Sequence, residues 1–186
     1  ENGLKMNSET SPSENERSEI RLVEAVINLD SWLLQKNLEN ALTSPVFLEG
    51  KIWEVKGEIV SPEGDSERDT WMIIEDPWSS NLSIFEDKAK NFATPNLRII
   101  VPPEARWMKR EKLISKLPSL LDARRQGESE QTENSVRSIM LEWWRVDLES
   151  ITIRTIGAVF PAWILNLEGR EDVLLHAING RTYPLP

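Results

Sequence analysis

The residues that could do chemistry here are few. The chain has one histidine, His176, no cysteine and eight tryptophans. Histidine and cysteine supply most zinc ligands and most nucleophile–base pairs, so their scarcity removes Cys-His catalysis, multi-histidine metal centres and iron–sulfur clusters. His176 lies in the apolar run Val173–Ile178, where strand alternation puts it on one face with Leu174 and Ile178. A histidine in such a run is expected to be a packed, hydrogen-bonded residue. To act as a general base it would need a nucleophile within about 3 Å and a third group to orient it.

Carboxylates are the other candidates. Glu63, Asp65, Glu67 and Asp69 recur at every second position, as in a cation-binding loop, but the central glycine and closing glutamate of an EF-hand are missing. A solvated hairpin loop is the expectation. Glu75-Asp76 and Asp147/Glu149 are the remaining acidic pairs. A glycosidase holds two carboxyls roughly 5 to 9.5 Å apart across a cleft, and sequence spacing does not establish that separation. No phosphate-binding glycine loop, dinucleotide fingerprint, hydrolase elbow or H-E-x-x-H pattern occurs. No catalytic residue, metal or cofactor is assigned.

The segment from Arg98 to Arg125 is the electrostatic anomaly. Arg98, Arg106, Lys109, Arg110, Lys112, Lys116, Arg124 and Arg125 outnumber Glu104, Glu111 and Asp122, giving +5 inside a chain of net charge −9. Trp107 lies within it. The plain expectation is a solvated helix face whose charges meet the acidic remainder of the molecule. Basic plus aromatic character is also used by single-strand binders, but the acidic total disfavours nucleic acid and anionic membranes, so among functional readings an acidic protein partner comes first. Trp53, Trp71 and Trp143 fall on apolar faces and are expected in the core, whereas Trp78, Trp107 and Trp144 are the better candidates for exposure, where tryptophan marks interaction hot spots, although packing remains the leading explanation for each ring taken singly. The expected interaction surface comprises Trp78, Arg106, Trp107, Lys109, Arg110, Lys112, Lys116 and Trp144.

These residues must be positioned by a chain of 186 residues, long enough to bury its own core. Residues 1–18 are polar and are expected to be a disordered lead. From Glu19 to about Leu42, apolar residues such as Ile20, Val23, Ile27, Leu34 and Leu38 recur at three- and four-residue steps, predicting the longest helix, with a kink or break at Asp30-Ser31. From Gly50 to Val101, alternating and short apolar runs separated by turn residues predict an antiparallel meander. Arg106 to Lys116 is expected to be helical, and Pro118 to open a second short helix from Ser119 to Arg125. Residues 126–134 read as a linker or loop. Val136, Ile139, Met140 and Trp143 predict an amphipathic helix, followed by strands at Ser150–Ile156, Ala158–Leu167 and Val173–Ile178 and a hairpin turn at Asn179-Gly180.

The order helix, strands, helices, strands predicts an α+β fold: a small antiparallel β meander or OB/SH3-like barrel flanked by helices, or two small α+β lobes. Residues 19–125 would form the first part, and 135–186 would pack on it or continue it. The expected function is a non-enzymatic protein–protein interaction or assembly module. The alternatives are a β domain that stacks tryptophan on an oligosaccharide or single-stranded nucleic acid, and a carboxylate-dependent enzyme. A homo-oligomer is compatible with the composition. No apolar run approaches the roughly 18 residues of a membrane span, and an anchor preceding Glu1 would not show. Cytoplasmic and bacterial extracytoplasmic locations both suit a chain without cysteine.

Overall fold

Val46, Leu48, Ile52 and Phe47, Trp53, Val55 occupy alternate positions of one strand that runs for 19 residues, Leu42–Val60 (β2). Both sets are buried, so this strand carries apolar surface on two faces. It pairs antiparallel with a second long strand, Thr152–Asn166 (β8), from Leu42 opposite Asn166 to Lys56 opposite Thr152. This two-stranded ribbon is the spine of the molecule. The computed structural model describes residues 20–86, 97–126 and 141–186.

The remaining strands attach along the two edges of the ribbon. Ser66–Asp76 (β3) pairs antiparallel with the second half of β2, and Asn81–Ile84 (β4) with β3. Ile99–Ile100 (β5) pairs in parallel with Phe47 and Leu48 in the first half of β2. Ala123–Gln126 (β6) pairs with Leu141–Val146 (β7), which meets the end of β2 at Ile59 and Val60. Along the other edge, β8 takes Ile20–Leu22 (β1) in parallel and Val173–His176 (β9) antiparallel, and β9 takes Thr182–Pro184 (β10). The ribbon has small residues near its middle, Gly50 opposite Ala158 and Lys51 opposite Gly157. There the Phe160 ring lies where a Gly50 Cβ would project, so the strand passes close beneath an aromatic ring.

The inner face of the curled sheet buries Val46, Leu48, Ile52, Ile74, Ile156, Phe160 and Leu174, with Trp78 and Tyr183 packed among them. Two helices cover the outer face. Leu29–Gln35 (α1) lays Leu33 against Leu165 and Leu175. Arg110–Leu121 (α2) lays Leu113, Leu117 and Leu121, one helical turn apart, against Trp53, Val55 and Ile73. Each fully buried leucine there contributes about 1.5–3 kcal/mol over leaving it exposed.

Strands make up 49% of the described residues and helices 15%, arranged as a curled antiparallel half-barrel. The fold is therefore mainly β, which corrects the expected α+β class with its helix-flanked small barrel. It also corrects the two-lobe alternative, because β8 and β9 come from the last third and join the same sheet as β2. The long helix expected from Glu19 to Leu42 is instead β1, a connection and the seven-residue α1. Ile20–Leu22 finds an open edge on β8, and Asn28 caps α1 by accepting the Ser31 amide at 3.0 Å. Asp30-Ser31 opens that helix rather than breaking one, and Asn37, at φ 54°, lies just past its end.

The helix expected from Arg106 begins instead at Arg110, after a 3₁₀ turn at Glu104–Arg106, and continues through Pro118 to Leu121. Pro118 forgoes one amide hydrogen bond, but Leu117 and Leu121 on either side of it are buried and hold the last turn in place. Ala123–Gln126 is strand, not the end of a second helix. Trp143 belongs to β7 and not to a helix. Gln126, expected to open a linker over 126–134, ends β6 instead; the rest of that linker, the expected lead over residues 1–18 and helix positions 136–140 lie outside the described residues. No helix among the described residues is long and apolar enough to cross a membrane.

Candidate functional site

The placement of α2 depends on one buried carboxylate. Glu75, 2% exposed, accepts the Trp53 indole N–H at 2.8 Å with Oε2 and the Met108 amide at 2.5 Å with Oε1. Glu75 thereby ties the 3₁₀ turn and the start of α2 to the centre of the sheet. Lys51, opposite Glu75 across the β2–β3 ladder, places Nζ 4.4 Å from the Trp107 ring centre and 5.0 Å from that of Trp53. The ammonium thus bridges the two indoles by cation–π attraction. At the far end of α2, Asp122 accepts the Val146 amide of β7 at 2.9 Å.

Fixed at both ends, α2 presents its cations outward. Arg106, Lys109, Arg110, Lys112 and Lys116 are all exposed, and none forms an ion pair among the described residues. Lys109, Lys112 and Lys116 fall on one stripe of the helix surface by their three- and four-residue spacing. Lys109 and Arg110 sit at the N-terminal end, where the helix dipole is positive and stability favours acids, and no side chain caps that end.

Two other basic residues of the segment, Arg124 and Arg125, are engaged elsewhere. Arg125 is ion-paired with Glu67, reaches Asp69 at 3.6 Å and lies 5.0 Å from the Trp144 ring. Arg124 lies 5.7 Å from the Trp143 ring. Glu67 and Asp69, expected in a solvated loop, are thus β3 residues facing β6, while Glu63 and Asp65 stay in the β2–β3 turn. No group of three or more His, Asp or Glu side chains suited to a metal occurs among the described residues.

Of the three tryptophans that are the better candidates for exposure, only Trp107 is partly exposed. Trp78 is 6% exposed, its indole N–H donating to the Glu49 carbonyl at 3.2 Å and its ring packed edge-on to Tyr183. Trp144 is 9% exposed and Trp143, expected in the core, is 43% exposed. Neighbours on a strand point to opposite faces, so assigning the pair to a helix reversed which ring was buried. Trp53 is buried as expected and Trp71 is partly buried against the α2 cluster.

His176 is fully buried, with Nε2 2.9 Å from Asp76 Oδ2. Its Nδ1 accepts the Ile178 amide at 3.2 Å, so Nε2 is the ring nitrogen that faces the carboxylate. Asp76 also accepts the Trp78 amide at 2.9 Å and the Ser79 hydroxyl at 2.8 Å. Burial pushes the Asp76 carboxyl up, but the His176 contact and the Ser79 donors outweigh it and hold the group below its ordinary range. Phe160 and Tyr183 flank the imidazole at ring distances of 5.2 and 6.2 Å. Without exposure the pair holds β9 to the turn after β3. Glu75 and Asp76, adjacent on a strand, face the outer and inner clusters and share no cleft.

The Glu75–Trp53–Met108 tie and the Lys51 bridge were missed in the sequence. Their signal is register: once β2 and β3 are paired, Lys51 stands opposite Glu75 and Trp53 opposite Ile73. The chain matches no protein-family model, no curated protein and no solved structure.

Proposed function

We propose that this chain is a non-enzymatic interaction module that docks an acidic protein partner on the basic face formed by the 3₁₀ turn and α2. The observation that carries this is the set of exposed cations Arg106, Lys109, Arg110, Lys112 and Lys116, free of ion pairs among the described residues, on the 3₁₀ turn and on a helix anchored at both ends. A rigid basic face in a molecule of net charge −9 steers an acidic partner toward one side of the surface and repels it from the rest. Trp107, half-buried beside Lys51, supplies apolar contact at its edge. With Trp78 and Trp144 buried, they take no part in this surface.

The test is a triple charge reversal, Lys109→Glu, Arg110→Glu and Lys112→Glu. Acids suit the first turn of a helix by about 0.3–1 kcal/mol each, so the variant should be at least as stable as the parent. Anisotropy of a labelled Glu/Asp-rich peptide, titrated at low and moderate salt, should show salt-sensitive binding to the parent that the variant loses. Equal binding by both proteins removes the surface, and tighter binding of a single-stranded oligonucleotide than of the peptide removes the choice of partner.

A further inference from the structure

A concavity opens where the exit of α1 meets the β8–β9 and β9–β10 turns, and none of its lining residues belongs to α2. It is a groove of about 930 Å³, within the size range of small-molecule sites. Trp32, Leu38, Leu165, Leu167 and Val173 line it with apolar surface, and Lys36, Arg170 and Arg181 stand at its rim against the single acid Glu171. The three cations are exposed, and none is ion-paired among the described residues. Lys36 Nζ lies 6.0 Å from the Trp32 ring centre, so the aromatic wall and the rim charge are adjacent.

The groove is built before any ligand arrives. Trp32 donates its indole N–H to the Gly180 carbonyl at 3.2 Å, tying α1 to the β9–β10 turn. That turn is closed by Gly180, at φ 68°, and by Asn179 accepting the Arg181 amide at 2.8 Å. In the β8–β9 turn, Gly169 has φ 72° and the Arg170 amide donates to the Leu167 carbonyl at 3.1 Å. Asn166 donates to Asp172 across the base of the same turn at 2.9 Å. Both arginines therefore leave backbone positions that are already fixed, which lowers the ordering cost of binding.

We infer that this groove is a binding site for a small amphipathic anion, an aliphatic or aromatic body that covers the Trp32–Leu38–Leu167 floor with an acidic head met by Lys36, Arg170 and Arg181. Charge decides the class: a cationic rim within a net-acidic molecule favours an anionic head over a neutral or cationic one with the same apolar body. The site is independent of the α2 face.

Decanoate, decanol and decyltrimethylammonium, each below its micelle threshold, would be titrated into labelled protein while following the Trp32 indole N–H resonance, assigned with Trp32→Phe. Saturable shifts with decanoate tightest and the cation weakest are expected. Arg170→Glu with Arg181→Glu should weaken decanoate about tenfold or more, whereas the triple reversal on α2 should not. Equal affinity for all three amphiphiles, indifference to the rim reversal, or no shift with decanoate overturns the inference. Sedimentation supplies a further check: self-association abolished by the rim reversal would overturn it by making a second copy of the chain the occupant.

Discussion

Replacing Gly50 with alanine tests the close approach of the β2–β8 ribbon to the Phe160 ring. A Cβ at this position would lie 3.1 Å from Phe160 Cδ2 and Cζ and closer still to Cε2, inside the roughly 3.5–4.0 Å at which carbon atoms attract. The ring has little room to retreat: Phe160 is 3% exposed and His176 lies 5.2 Å from it, centre to centre. Overpacking of this kind costs about 1–3 kcal/mol. The methyl also removes backbone freedom from the unfolded chain, a gain of about 0.4–1 kcal/mol where it fits. The net loss is about 1–2 kcal/mol, read as a lower urea midpoint at unchanged slope and a fall of about 2–8 °C in Tm. Phe160→Leu removes the outer ring atoms, so the double variant should be at least about 1 kcal/mol more stable than the two single losses add up to. A neutral or stabilising Gly50→Ala, or strict additivity in the cycle, would refute the close approach.

Glu75→Ala leaves the Trp53 indole and the Met108 amide without their shared acceptor, so it should cost about 2–4 kcal/mol in urea titration and weaken acidic-peptide binding by loosening the start of α2. Glu75→Gln, which keeps one carbonyl acceptor, should cost less. Glu54 is held below its ordinary carboxyl range by the fork of Arg154, at 2.7 and 3.0 Å, against a burial effect in the opposite direction. Asp76 is lowered as well. A carboxyl with a depressed folded pKa contributes stability above its unfolded pKa and loses it as pH falls through the folded value. The ordinary values are 4.5 and 3.8 for the two groups, so stability should hold steady above about pH 5 and drop progressively below about pH 4. Asp76→Asn should flatten that drop, and an acid limb unchanged in this variant would count against the Asp76 assignment.

How legible the fold was depended on whether a segment's neighbours were local. Trp53, Val55, Gly57 and Ile59 alternate with charged residues and do form strand, paired with β3 across a short turn. Ile20–Leu22 carries a spacing compatible with a helix, but its partner is the distant stretch Gly157–Val159, and an open edge outweighs weak helical periodicity. Leu141–Val146 becomes strand by pairing with β6 and the end of β2, and Trp143 and Trp144 then face opposite ways. The basic residues of α2 were visible as composition. That Arg125 would be engaged by Glu67 and Asp69 while Lys109 and Lys112 stayed unpaired depended on the β6–β7 pair and on the anchoring of α2, neither of which has a local signature. The groove has no local sequence signature, because Lys36, Arg170 and Arg181 come from three separate connections.

The β2–β8 ribbon also sets the order of events as the chain is made. β2 can close on β3 and β4 as soon as Ile84 emerges, but its other edge waits for β8, made roughly a hundred residues after β2 itself. At translation rates of about 5–20 residues per second that edge stays unpaired for roughly 5–20 s. During that time it offers a long row of free amides and carbonyls, with apolar side chains on both faces, to any other strand. Long-range pairing of this kind also slows refolding from denaturant. The strand that organises the finished molecule is therefore the nascent chain's chief aggregation hazard, and a chaperone protecting it would have to hold β2 until β8 arrives.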